Sequence, residues 1–272
     1  MDPMISEFSY GYALTEELAA GYRSALRGAP VFPSLIDEGS RGGYDLALPV
    51  LGAPLFLQFK LSHYLKKSSA LEWSHWNQPY FRMHLRPLRY SKQHNLLLTW
   101  ERAGNEVYYA TPMFYQAADL NAAYAGRRMV QSSAFFRPQD IGALPDLGHH
   151  CVVYHPSDAV AYFHSDEPRA VRLIHGEIWL EKVFFGQERR MTKVSHEMFN
   201  ELLASMEAVL AKAIPAWERQ HREMLDRFAR HEMEGLAAYV SYLARTYFDA
   251  QFILISPWEK TGESKQQPRS YR

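Results

Sequence analysis

The chain contains a single cysteine, Cys151. One thiol excludes an internal disulfide and any cysteine-built zinc cluster, and it points to a reducing cytoplasm and away from a secreted fold. Charge of one sign is lacking too, with 30 Lys and Arg set against 30 Asp and Glu beside 12 His. That balance excludes a wholesale polyanion binder of the histone or tail type, while a local basic face remains compatible with it. Long apolar runs are missing: the longest, such as QFILI at residues 251–255, have strand length, far below the roughly 20 residues of a membrane helix. The N-terminus carries Asp2, Glu7, Glu16 and Glu17 in place of the basic-then-apolar order of a signal peptide. A soluble, cytoplasmic protein without membrane contact is expected. No Walker-type lysine loop, dinucleotide glycine fingerprint or GxSxG is present, which argues against a nucleotide-driven motor, a dehydrogenase and an α/β-hydrolase.

What is present is 272 residues, 47% of them apolar, enough for one large domain or a domain with an appendage. Thr15 before EELAAGYRSALRG reads as an N-capped helix stopped by Gly28. The runs YDLALPV and LFLQFKL read as a β-hairpin turning at Leu51-Gly-Ala-Pro54. Residues NLLLTWE and NEVYYATP follow as strand candidates, QAADLNAAYAGRRMV as a short helix, and 131–185 as short strands and loops. From His196 the apolar period changes to 3, 4 and 7, giving one helix that ends at Pro215 and a second from about Ala216 to Asp249. The expected organisation is an α/β domain over 1–195, a C-terminal helical hairpin packed on it over 196–256, and a disordered tail over 257–272.

The strongest constellation lies in the expected hairpin: Glu38, then Asp45, then twelve residues, then Gln58-Phe59-Lys60. On a strand Gln58 and Lys60 share a face and Phe59 takes the other. With a turn near Gly52, Asp45 falls opposite Lys60, so that an acid, an amide and an amine converge. A lysine beside an acid in an apolar strand is costly unless the charges pair or hold an ion. A strand-edge salt bridge between Asp45 and Lys60 is the plainer alternative.

Acid, hairpin, Asp, then (D/E/Q)-x-Lys on the next strand resembles the PD-(D/E)xK nucleases, whose restriction-endonuclease-like fold is a mixed central β-sheet flanked by helices. The resemblance covers residues 15–110 at most. Gln58 stands where an acid is more usual, and Tyr44 replaces the usual Pro; the excising subunit of a cut-and-paste bacterial transposon looks similar in carrying Gln. The resemblance implies a Mg2+- or Mn2+-dependent endonuclease hydrolysing DNA phosphodiesters, DNA ahead of RNA, in bacterial phage defence or mobile-element biology. The alternative is an inactive nucleic-acid- or partner-binding module on the same fold. It further implies Asp45, Gln58, Lys60 and Glu38 as catalytic residues. A hard cation would take oxygens from Asp45, Gln58, the Phe59 carbonyl and Glu38, with Glu17 on the first helix as the alternative acid.

Residues 61–95 supply a second signal. They hold Lys66, Lys67, Arg82, Arg86, Arg89 and Lys92 against one acid, Glu72, interleaved with six aromatics. A nucleic-acid surface has this composition, and so does a solvated rim over buried rings. The pair Arg127-Arg128 reads as solvated charge in preference to a phosphate clamp. The neighbours His149, His150 and Cys151 with His155 are poor zinc candidates, because adjacent strand residues point to opposite faces. The C-terminal helices offer a surface for a protein partner or a second copy.

Overall fold

The computed structural model describes residues 1–21, 51–145, 148–165, 167–185, 192–214, 217 and 233–255. Glu38, Asp45, the YDLALPV run and the expected disordered tail lie outside the described residues. In chain order the elements are α1 (Glu7–Gly21), β1 (Leu51–Phe59), β2 (Ser62–Leu65), β3 (Tyr80–Leu85), α2 (Gln93–Arg102), β4 (Glu106–Pro112), α3 (Ala117–Ala125) and β5 (Ser133–Phe136). They continue with α4 (Pro138–Ile141), β6 (His150–Tyr154), β7 (Val160–His164), β8 (Arg169–Arg172), β9 (Ile174–His175), α5 (Gly176–Leu180), β10 (Thr192–Lys193), α6 (His196–Ala213), α7 (Met233–Phe248) and β11 (Gln251–Ile255).

Among the described residues the class is mixed α/β, with two sheets. One has the order β10-β1-β4-β5-β9, with β11 also on β1; the other, β2-β3-β6-β7-β8, is antiparallel throughout. In the first, β1 runs parallel to β4 from Leu55↔Glu106 to Phe59↔Ala110. Antiparallel to β1 lie β11, from Ala53↔Ile255 to Leu57↔Gln251, and β10 at Leu51 and Gly52.

This register corrects the expected hairpin. Leu51-Gly-Ala-Pro54 is strand, not turn, and the antiparallel neighbour of β1 comes from residues 251–255. The counting that set Asp45 opposite Lys60 therefore fails. Pro54 is tolerated because pairing with β4 begins one residue later, at Leu55, so the missing N–H leaves that ladder intact.

Two other elements differ from expectation. NLLLTWE lies in helix α2, where Leu97, Trp100 and Glu101 are buried at helical spacing and Thr99 Oγ1 donates to the Asn95 carbonyl at 2.8 Å. Helix α1 starts eight residues before Thr15. Its cap is Ser6, whose Oγ accepts from the Ser9 N–H at 3.0 Å, and Thr15 is buried inside the helix. The stripe Tyr10, Leu14 and Leu18 then faces the sheet.

Strand alternation divides the core of the first sheet. Leu55, Leu57 and Phe59 pack with Tyr10 and Leu14 of α1 and Trp179 of α5, whereas Phe56 packs with Trp100 of α2 and with α6 and α7. Helices α6 and α7 lie against one another and against α2, and their apolar stripes are buried. The segment after α7, expected as the end of a helical hairpin, supplies a strand of the central sheet.

Candidate functional site

Residues Gln58 and Lys60 sit at the carboxyl end of β1, on the Phe56 side of the sheet, where α7 hands over to β11. The linking residue is Asp249. Its Oδ2 accepts from Gln58 Nε2 at 3.4 Å and lies 3.8 Å from Lys60 Nζ; its Oδ1 lies 3.4 Å from Arg245 Nη1. The amide and amine that the sequence pairs on one strand are thus brought together, and the carboxylate beside them comes from a place that sequence reasoning missed.

Local energetics do not favour an acid at position 249. The residue ends α7 at φ +48, in the left-handed region where glycine is the usual occupant. It also places negative charge at the helix C-terminus, where the macrodipole is itself negative. Its interactions with Lys60, Arg245 and Gln58 offset these terms.

Gln58 is fully buried, and its Oε1 has no hydrogen-bond partner among the described residues. An unpaired buried amide oxygen carries a desolvation cost of about 1–3 kcal/mol. The atom is a ready acceptor for a cation or a donor that enters the site. Behind it, burial and the Asp249 charge push the Tyr109 hydroxyl well above its ordinary pKa.

At the end of β1, between α1 and the end of α7, a cavity of about 20 Å3, large enough for one water or one ion, is lined by Glu7, Phe8, Gly11, Phe59, Arg245 and Asp249. Gly11 makes it possible: a Cβ there would stand 2.5 Å from Phe59 Cδ2, so only glycine lets the first turns of α1 cross so close to the end of β1. Glu7 thereby faces the same cavity as Asp249. Glu17 is engaged elsewhere, accepting from the Met129 and Val130 amides at 2.6 and 3.1 Å. The signal for Glu7 was the SEF tripeptide, a cap followed by a first-turn acid, which the acids after Thr15 overshadowed.

Several basic residues of 61–95 make contacts within the fold. Arg82 is bound to the buried Glu72, which also accepts from Tyr80 at 2.6 Å. Burial alone would raise the Glu72 pKa; the Arg82 and Tyr80 hydrogen bonds outweigh it and hold the carboxyl below its usual range. Lys92 donates to the Ala213 carbonyl on α6, and Arg89 lies over Tyr90. Lys66 lies over Tyr64 and Tyr115 at the mouth of a large cleft. His150 and Cys151 point to opposite sides of β6, and burial beside Glu72 pushes the Cys151 thiol up to about 12. Among the described residues no group of three or more His, Cys, Asp or Glu side chains is placed to hold a metal ion.

Comparison of the chain with protein-family models, curated proteins and solved structures returns no match. Among the described residues no helix is long and apolar enough to cross a membrane.

Proposed function

We propose that the protein is a divalent-metal-dependent endonuclease of the PD-(D/E)xK kind, with a QxK dyad at Gln58 and Lys60, acting on DNA phosphodiester bonds. The observation that carries this is the buried, unpartnered Gln58 Oε1 two residues from Lys60 on a central strand, with Asp249 against both. The available donors are hard oxygens, as Mg2+ or Mn2+ requires: Asp249, Glu7 and the Gln58 amide, with waters and the acids Glu38 and Asp45 to complete the set. A bound Mg2+ supplies a lowered pKa for its water and neutralises charge on the phosphate.

The chain's own groups supply the rest. Lys60 Nζ donates to the attacking water or to the oxygen on which negative charge grows. Asp249 holds that ammonium at the strand end, and Arg245 keeps the carboxylate from swinging into solvent. Burial of Gln58 between the sheet and α7 fixes the direction of its amide. Phage defence or mobile-element biology is the setting this chemistry suits.

Divalent-dependent cutting of plasmid DNA tests the reading. Cleavage by the wild type that disappears in Lys60→Ala and with chelator is expected; a folded wild type that cuts neither duplex nor single strands in Mg2+ or Mn2+ overturns it. A second reading, a module that binds nucleic acid without cutting, is favoured by the engagement of Lys60 by Asp249. Salt-dependent binding without cleavage would establish it.

A further inference from the structure

Beyond the ends of β1 and β4 lies a cleft of about 760 Å3, within the size range of ligand sites. Both strands leave the sheet at this end, β1 toward Lys60 and Tyr64 and β4 toward Met113 and Tyr115. Crevices outside the carboxyl ends of parallel strands are where open α/β sheets bind ligands. Lys60 and Tyr64 are four residues apart, so at most about 14 Å of extended chain separates the dyad from the cleft.

The lining has two characters. Tyr64, Phe81, Met113 and Tyr115 give it an apolar and aromatic floor, with Tyr64 and Tyr115 stacked at 4.9 Å and 16°. Around the rim stand Lys66 and Arg128, both exposed and neither in an ion pair among the described residues, opposed by Asp119 alone among carboxylates. Gln116 and Gln131 add amides that can donate and accept.

The Arg128 rim is rigidly presented. Glu17 clamps the next two backbone amides from behind, Arg128 N–H donates to the Ala123 carbonyl at 2.8 Å, and Ser132 N–H donates to the Arg128 carbonyl at 2.9 Å. Arg127 takes φ +50, a strained conformation for a residue with a side chain. A partly buried carboxylate held on two loop amides and a left-handed arginine are unusual supports for a merely solvated charge. They fix one guanidinium at the mouth of a cleft whose floor suits a planar ring.

The geometry points to a nucleotide subsite: one unit of a single-stranded segment lies in this cleft, its phosphate between Lys66 and Arg128 and its base over the aromatic floor. It rests on the proposed nuclease reading for the identity of the polymer and places the strand flanking the cut bond.

Fluorescence anisotropy of a short labelled oligo(dT), in chelator so that nothing is cut, tests it. Lys66→Ala and Arg128→Ala should each lower the slope of log affinity against log salt by about 0.7, the value for one phosphate contact on a single strand. Together they should weaken binding at least 10-fold, whereas Asp119→Asn should tighten it; all three side chains are exposed, so the fold is kept. Thymidine 5′-monophosphate should compete and inorganic phosphate should compete far less well. Unchanged slopes in the two cation variants, or equal competition by phosphate, overturn the subsite. Wild-type protein given Mg2+ separates this from catalysis: oligonucleotide held in the cleft by a wild type that never cuts keeps the subsite and removes the nuclease reading. Cutting by a wild type whose Lys66 and Arg128 variants bind normally does the reverse.

Discussion

Asp249 Oδ2 stands 3.8 Å from Lys60 Nζ, although one residue ends a C-terminal helix and the other follows the first strand of the central sheet. The contact exists because β11 pairs with β1, so that the turn before β11 is carried to the strand end where the dyad sits.

Replacing Asp249 by Gly removes the carboxylate while suiting the left-handed backbone. Relief of that conformation, about 1 kcal/mol, offsets the loss of two partly exposed ion pairs of about 0–1 kcal/mol each. We expect a melting temperature within a few degrees of wild type and cleavage reduced about 100-fold or more. Retained cleavage would remove Asp249 from the site.

Gln58→Glu puts a second carboxylate where the Gln58 amide nitrogen meets Asp249 Oδ2 at 3.4 Å, inside a buried position. Like charges there raise one carboxyl pKa and destabilise the fold. Thermal unfolding should show a deficit of about 1–3 kcal/mol that Mg2+ restores, with half-maximal cleavage at lower Mg2+ than wild type. A deficit indifferent to Mg2+ would place the cation elsewhere.

Arg82 compensates a buried acid. Arg82→Leu leaves Glu72 without its cation, and denaturant unfolding should report a loss of about 3–5 kcal/mol. The same measurement on Arg86→Ala and Arg89→Ala should report less than about 0.5 kcal/mol. Equal effects at all three positions would contradict the buried pair.

His94 titrates with the fold. Its Nε2 lies 2.6 Å from the Gly142 carbonyl, which can only accept, so Nε2 carries the proton and Nδ1 accepts from the Tyr109 hydroxyl at 2.7 Å. Burial lowers its pKa to about 4. Between about 4 and the unfolded value near 6.5 the unfolded chain binds the extra proton, so this contribution is complete above pH 6.5 and lost as pH falls to 4. The total is about 3 kcal/mol. His94→Gln should flatten stability against pH in that window; an unchanged profile would assign the dependence to other groups.

Much of this was legible in sequence, and the omissions have physical causes. EVYYATP is a short run of strand-forming residues bounded by turn residues, as fits β4, which is buried along its whole length, and the 3-4-7 period after His196 marks α6, because that spacing reports which side chains a helix buries. The short apolar run of α2 fits helix or strand equally well, and its neighbours decided it. Pro54 signalled a turn because the position where β4 pairing begins is invisible in a sequence. Lys60 and Gln58 share a face by simple alternation, but Asp249 joins them through strand pairing with no short-range signature. Its one local trace is an acid where a helix ends and glycine would be favoured.

The pairing of β1 with β11 joins residues about 200 apart in the chain. Closing so long a loop is entropically unfavourable and late among folding events. A nascent chain that has made Gln58 and Lys60 still lacks both the strand that covers β1 and the carboxylate that meets the lysine. Any activity of this site is therefore withheld until residues 249–255 have left the ribosome, and a product truncated before residue 249 should be inert as well as unstable.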